Sequence, residues 1–155
     1  MARPLLLSSY VFLCSAALFL LMNGCGDSNS QDSGAPPTSN TDDGETQAAR
    51  GAQLYGAHCA SCHGPSGEGS GEAPPLVGKE ALPLHPRSTQ RVRTNQFHTA
   101  LDVAQFAVRT MPPKSPGSLK ETEYWDIIAF DLKANGVSVA GVHIDATSTA
   151  NIKLR

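Results

Sequence analysis

The chain has 155 residues, a formal net charge of −2, 40% apolar residues and only 6% aromatics, which allows one modest domain and excludes two well-packed ones. Tyr10, Phe12 and Phe19 lie in an apolar start, leaving Tyr55, Phe97, Phe106, Tyr124, Trp125 and Phe130 for the fold, in a chain with 14 glycines and 11 prolines. A core of side chains alone would be thin, so something else is expected to fill the middle.

Met1 and Arg3 give a positive start, Pro4 to Met22 is apolar, and Gly24-Cys25-Gly26 follows, the layout of an export signal. Leu21-Met22-Asn23-Gly24-Cys25 resembles the lipobox of bacterial lipoproteins: Gly24 fits, while Met22 and Asn23 depart from the usual residues. The resemblance implies a signal peptide over 1–24, cleavage before Cys25, and lipidation of Cys25 on the periplasmic side of a bacterial membrane. Each acyl CH₂ buried there contributes about 0.8 kcal/mol. Ordinary cleavage after Gly26 and an uncleaved membrane anchor remain alternatives. Gly26 stands where the family's inner-membrane retention signal has aspartate, which leaves outer-membrane sorting open.

Residues 25–45 read as a flexible acidic linker. Asp27, Asp32, Asp42, Asp43 and Glu45 occur there with no Lys or Arg and hardly any large apolar residue, a composition unable to offset the entropy of ordering. The rest is mildly basic, so the whole-chain charge sums unlike parts.

Cys59-Ala60-Ser61-Cys62-His63 is CxxCH, the attachment signal for c-type haem. Two thiols three positions apart on a helical turn can form thioethers with the vinyl groups of one haem edge, and the next residue can present an imidazole to the iron. A redox dithiol or half a zinc site are the other readings. Zinc would want a second ligand pair, and the other cysteines are Cys14 in the leader and Cys25. A thioredoxin-like dithiol would want a βαβ context, which does not follow.

The flanks extend this. Gly51-Ala52-Gln53-Leu54-Tyr55-Gly56-Ala57-His58-Cys59 resembles the N-terminal helix of class I cytochromes c, and Pro74-Pro75-Leu76-Val77-Gly78 resembles the family's segment after the haem loop. The resemblance implies an all-α fold of about three to four helices wrapped around one covalent haem c, with Cys59 and Cys62 bonded to it. His63 would be the proximal iron ligand, with the carbonyl of Pro74 orienting it. The domain is expected over 46–136.

Thr99 to Arg109 reads as a short helix, followed by Met111-Pro112-Pro113. The prolines end the helix and bias Met111 toward extended backbone. Met1 and Met22 belong to the leader, so Met111 is the candidate distal ligand, in the family's order of a Met-Pro turn, Pro116-Gly117 and a last helix; a buried core methionine is the bland alternative. His58, His85, His98 and His143 lack that context.

Glu121 to Asn135 reads as the longest helix, stopped by Gly136. Ser118 and Glu121 have capping-box spacing, with Lys120 where many family members carry their cap. Tyr124, Trp125, Ile127, Ile128, Ala129, Phe130 and Leu132 form its apolar face, and Asp131 is expected to face water. The family fold implies that this helix crosses the first one, with Gly51 against Ala129. Residues 137–155 form a C-terminal extension, read as an extended strap outside the resemblance.

Lys79, Arg87, Arg91, Arg93, Arg109 and Lys114 outnumber Glu80 and Asp102 across the middle. They read either as a solvated surface or as a basic rim steering acidic redox partners. The resemblance implies one-electron transfer between exported or membrane-bound partners by a carrier that is not itself an enzyme. Alternatives are a gas-binding or sensor module with a displaceable Met111, or the electron-accepting subunit of a periplasmic dehydrogenase. Nothing in the chain resembles a nucleic-acid module.

Overall fold

The computed structural model describes residues 42–88 and 92–154. The leader, Cys25, most of the linker and Arg91 lie outside the described residues, and all of these described residues fall within one unit, Pro36–Arg155. Five helices follow in order: α1 (Gly44–His58), α2 (Ala60–His63), α3 (Ala100–Thr110), α4 (Glu121–Ala134) and α5 (Ala146–Asn151). The described residues contain no strand, only an isolated bridge between Thr99 and Lys153. None of the described helices is long and apolar enough to cross a membrane.

Local chemistry explains most boundaries. Asp43 caps α1 by accepting from the Thr46 amide at 3.1 Å, so the helix begins two residues ahead of the expected domain start. Thr99 and Asp102 form a reciprocal capping box on α3. At α4 the expected Ser118/Glu121 pair is not the cap: the helix starts after Lys120, whose amide donates to Glu123 at 2.8 Å. That helix has 14 residues and α1 has 15, so α1 is the longer.

The central packing is α1 across α4, and the crossing runs through Gly51. A Cβ there would lie 1.9 Å from the Asp126 carbonyl oxygen and 3.0 Å from the Ile127 amide nitrogen. The close approach is to the backbone of Asp126 and Ile127 rather than to Ala129, although Ala129 is fully buried nearby in the core. Arg50 reinforces the crossing by donating to both oxygens of Asp126, at 2.9 and 2.7 Å. Tyr55 stacks at a tilt on Phe130, with centroids 5.0 Å apart.

The C-terminal segment is part of the core rather than an extended strap. Val139 and Ile144 are fully buried in the cluster that contains Ala100, Ala104, Ile128 and Leu132. The buried Gln47 amide accepts from the Ile144 backbone N–H at 2.6 Å and donates to its carbonyl at 3.0 Å. Asp145 and Ser148 cap the short α5. Beyond it, Ile152 accepts from Ala100 N–H and Leu154 donates to the His98 carbonyl, fixing the start of α3.

Candidate functional site

Cys59 is the joint between α1 and α2. Its carbonyl accepts from the amides of Cys62 at 3.1 Å and His63 at 3.0 Å, one helical turn that makes the two cysteines neighbours on its surface. Both thiols are free and half-buried. Burial, followed by the nearby charge of Asp131, pushes the Cys59 thiol up to about 11. Redox-active thiols are depressed instead, so this environment disfavours the dithiol reading.

His63 is 7% exposed, and its Nδ1 lies 2.8 Å from the Pro74 carbonyl. A carbonyl can only accept, so Nδ1 carries the proton and Nε2 keeps its lone pair for a metal. The loop between them is folded tightly. Gly69 donates to the His63 carbonyl at 2.7 Å; its φ is +85°, and a Cβ would stand 2.7 Å from the Pro75 nitrogen, so both the backbone and the space call for glycine. Ser70 Oγ donates to Cys62 O at 2.5 Å, and Tyr55 donates to Gly64 O at 2.7 Å.

Asn135, read in the sequence only as the last residue of the C-terminal helix, ties this loop to the end of α4. Its Nδ2 donates to Leu76 O at 2.8 Å and its Oδ1 accepts from the Gly78 amide at 3.0 Å. The available signal was an amide residue just before the helix-ending glycine.

Met111 closes α3 with extended backbone, φ −121° and ψ 146°, its amide still donating to Ala107 O. Tyr124 of α4 donates to the Met111 carbonyl at 2.7 Å. The residue is half-buried, and the prolines that follow stiffen its exit. Thus α1, α2 and the following loop bring Cys59, Cys62, His63 and Pro74 together, while Met111 arrives from α3 and is held by α4. His58, His85, His98 and His143 are exposed. Among the described residues no group of three or more His, Cys, Asp or Glu could hold a metal ion by itself.

Arg93 departs from the basic rim. It is 4% exposed, stacks its guanidinium 3.9 Å from the Phe97 ring centroid, and donates Nη1 to Pro83 O at 2.8 Å. Burial lowers its pKa, and its Nε and Nη2 have no partner among the described residues. A buried cation with two unused donors fits an anionic acceptor, such as the carboxylates of haem propionates. The neighbouring thiols of Cys59 and Cys62 and the His63 imidazole Nε2 make a donor set suited to haem c. Lys79, Arg109 and Lys114 are exposed, and Arg87 pairs with Glu80.

Asp131 also departs from expectation. It is 5% exposed, not water-facing, because it lies three residues after Ile128 and so shares that residue's inward face.

Residues 46–130 match the family described as Cytochrome C oxidase, cbb3-type, subunit III. Among curated proteins, thiosulfate dehydrogenase of Stutzerimonas stutzeri (strain A1501) is 31% identical over 87 residues, 53% of this chain and 25% of that protein. The chain therefore spans a quarter of the length of that relative. Among solved structures, the sulfane dehydrogenase SoxCD of Paracoccus pantotrophus aligns with 27% identity and a TM-score of 0.48, over 78% of this chain and 66% of that one. Thiosulfate dehydrogenase TsdBA of Marichromatium purpuratum aligns with 34% identity and a TM-score of 0.41, over 54% and 17%.

Proposed function

We propose, from a chain that belongs to the cbb3-type cytochrome c oxidase subunit III family and carries an all-α, class I-like cytochrome c domain, that its task is one-electron transfer through a single covalent haem c. In this reading Cys59 and Cys62 would hold the haem by thioethers, His63 and Met111 would bind its iron, and Arg93 would pair with a propionate. Bound haem supplies a one-electron iron couple, and histidine–methionine ligation raises its potential.

The observation that carries this reading is the 2.8 Å bond from His63 Nδ1 to Pro74 O. It supports an imidazole preset in tautomer and orientation, one residue after the second attachment cysteine. Tyr124 restrains the Met111 backbone, which favours a fixed thioether over a displaceable one. The protein's part is then to hold both ligands still during transfer and keep water from the metal. Exposed Arg109 and Lys114 flank Met111 and suit an acidic redox partner. The export signal and Cys25 lipid complete the proposal, placing the carrier on the periplasmic side of a membrane.

The test is the visible spectrum of the purified protein with a denaturing haem stain. Covalent haem with a six-coordinate, low-spin spectrum and the long-wavelength thioether-to-ferric band is expected. A five-coordinate spectrum, or carbon monoxide binding to the reduced protein at native pH, would favour the sensor module instead.

A second reading is favoured by the thiosulfate dehydrogenase relative: the chain is the electron-accepting cytochrome of a separate dehydrogenase rather than a free shuttle. Reduction only when a membrane or periplasmic fraction and its substrate are both present supports this. Reduction by thiosulfate alone would make the chain itself the enzyme.

A further inference from the structure

We propose that Asp131 couples a proton to the electron this domain carries, so that reduction takes up one proton onto its carboxylate and oxidation releases it. The inference rests on the haem-binding reading above.

Asp131 is the one carboxylate among the described residues that is buried without an ion-pair or hydrogen-bond partner at Oδ1. The other buried carboxylate, Asp126, is held by Arg50. Asp131 lines a cavity of about 10 Å³ with Leu82, Ala100, Val103, Ile128 and Leu154, at the lower limit for one water. These neighbours offer it no hydrogen bond, so the neutral acid is the favoured form. Burial alone pushes its carboxyl up to about 8.

Its position gives the coupling. The groups that sense its charge are Tyr55 and Cys59, both on the α1 side. Tyr55 is itself pushed up to about 12, by burial and then by Asp131, and does not titrate in the range considered. Cys59 ceases to titrate once bonded in a thioether. From α3 the facing residues are Ala100 and Val103, from the loop Leu82 and from the tail Leu154, none of them ionisable. On α4 itself, Lys133 is paired with Glu45 and Asp126 with Arg50. His63, buried and joined through its amide to the Cys59 carbonyl, has its ring taken by Pro74 O and, in the haem-binding reading, by the iron. Among the described residues Asp131 is therefore left as the buried ionisable group whose charge reaches the attachment cysteine.

The balance is simple. One electron from the redox partner would add a negative charge to the haem that Cys59 would hold; that charge would raise the Asp131 carboxyl pKa, and one proton would follow from solvent. Oxidation reverses both transfers. Between the oxidised-state and reduced-state pKa values, each pH unit shifts the redox equilibrium up to tenfold, or 59 mV for one electron.

The experiment is spectroelectrochemical titration of the full-length protein from about pH 5.5 to 9.5, beside Asp131→Asn and Asp131→Leu, with indicator-dye measurement of protons released on oxidation near pH 8. A midpoint that falls with pH and release approaching one proton are expected in the native protein, with both effects lost in Asp131→Asn. A flat midpoint in haem-loaded native protein overturns the coupling alone, as does a slope that survives both substitutions. A purified chain without covalent haem overturns the underlying reading as well.

Discussion

Gly51 lies so close to Asp126 that a single added carbon would sit 1.9 Å from the Asp126 carbonyl oxygen. The obstacle is backbone, which cannot swing aside, and it lies where the two longest of the described helices cross. Gly51→Ala is expected to destabilise the domain by about 3 kcal/mol, at the upper end for overpacking, and Gly51→Leu by more. Thermal unfolding of the purified variants measures this, and an unchanged midpoint would remove the crossing from the account.

Met111→Ala removes the thioether while leaving both attachment cysteines and His63. The stained haem band is expected to persist, the thioether-to-ferric band to vanish, and the potential to fall, since methionine ligation raises it. Carbon monoxide should then bind the reduced variant. Retention of the native spectrum would mean another residue is the distal ligand.

Arg93→Met tests the guanidinium. Losing a buried positive charge favours the oxidised state, by about 1–2 kcal/mol for a charge acting through an effective dielectric of 20, so the midpoint should drop while the axial spectrum stays native. Arg93→Lys should restore the value only partly, since an ammonium lacks the planar fork. A midpoint unaffected by Arg93→Met would dissociate it from the propionates.

Stability carries its own pH signature at Asp131. Its folded-state pKa of about 8 stands above the ordinary 3.8, so the native state holds a proton that the unfolded chain releases. Its contribution is fully present below about pH 4, declines as pH rises toward 8, and is lost above that. Asp131→Leu should therefore gain several kcal/mol more relative to native protein at pH 9 than at pH 5, at about 1.4 kcal/mol for each pH unit between the two pKa values. Denaturant titrations at the two pH values give the comparison, and an equal gain at both would show that the carboxyl does not titrate.

What the sequence disclosed follows from how local each feature is. CxxCH is a contiguous signal whose spacing is dictated by covalent chemistry, and Met111-Pro112 announces its own backbone. Both were legible without a fold. The burial of Arg93 depends on an irregular loop returning Pro83 and Phe97 to it, which no periodicity encodes. Asp131 was legible in principle, since its spacing from Ile128 puts it on the inward face; its charge argued the other way and was the wrong guide. Four of the six residues of α5, Thr147, Ser148, Thr149 and Asn151, are weak helix formers, and its one signal was the Asp145/Ser148 box. The crossing at Gly51 was anticipated, but its partner differs by three residues, because side-chain patterns do not fix where two backbones touch.

The two-way bond between Gln47 and Ile144, beside the bond from the Gly44 amide to Val142 O at 2.8 Å, has a mechanical consequence. The chain enters the domain at the point where its last segment is fastened. A pull on the polypeptide ahead of Asp42 is borne first by Asp42, through Arg50 and the His143 ring, and next by these bonds, whose failure shears the C-terminal segment from the head of α1. The cysteine turn and the His63 loop lie beyond that latch, shielded from tension until it gives way.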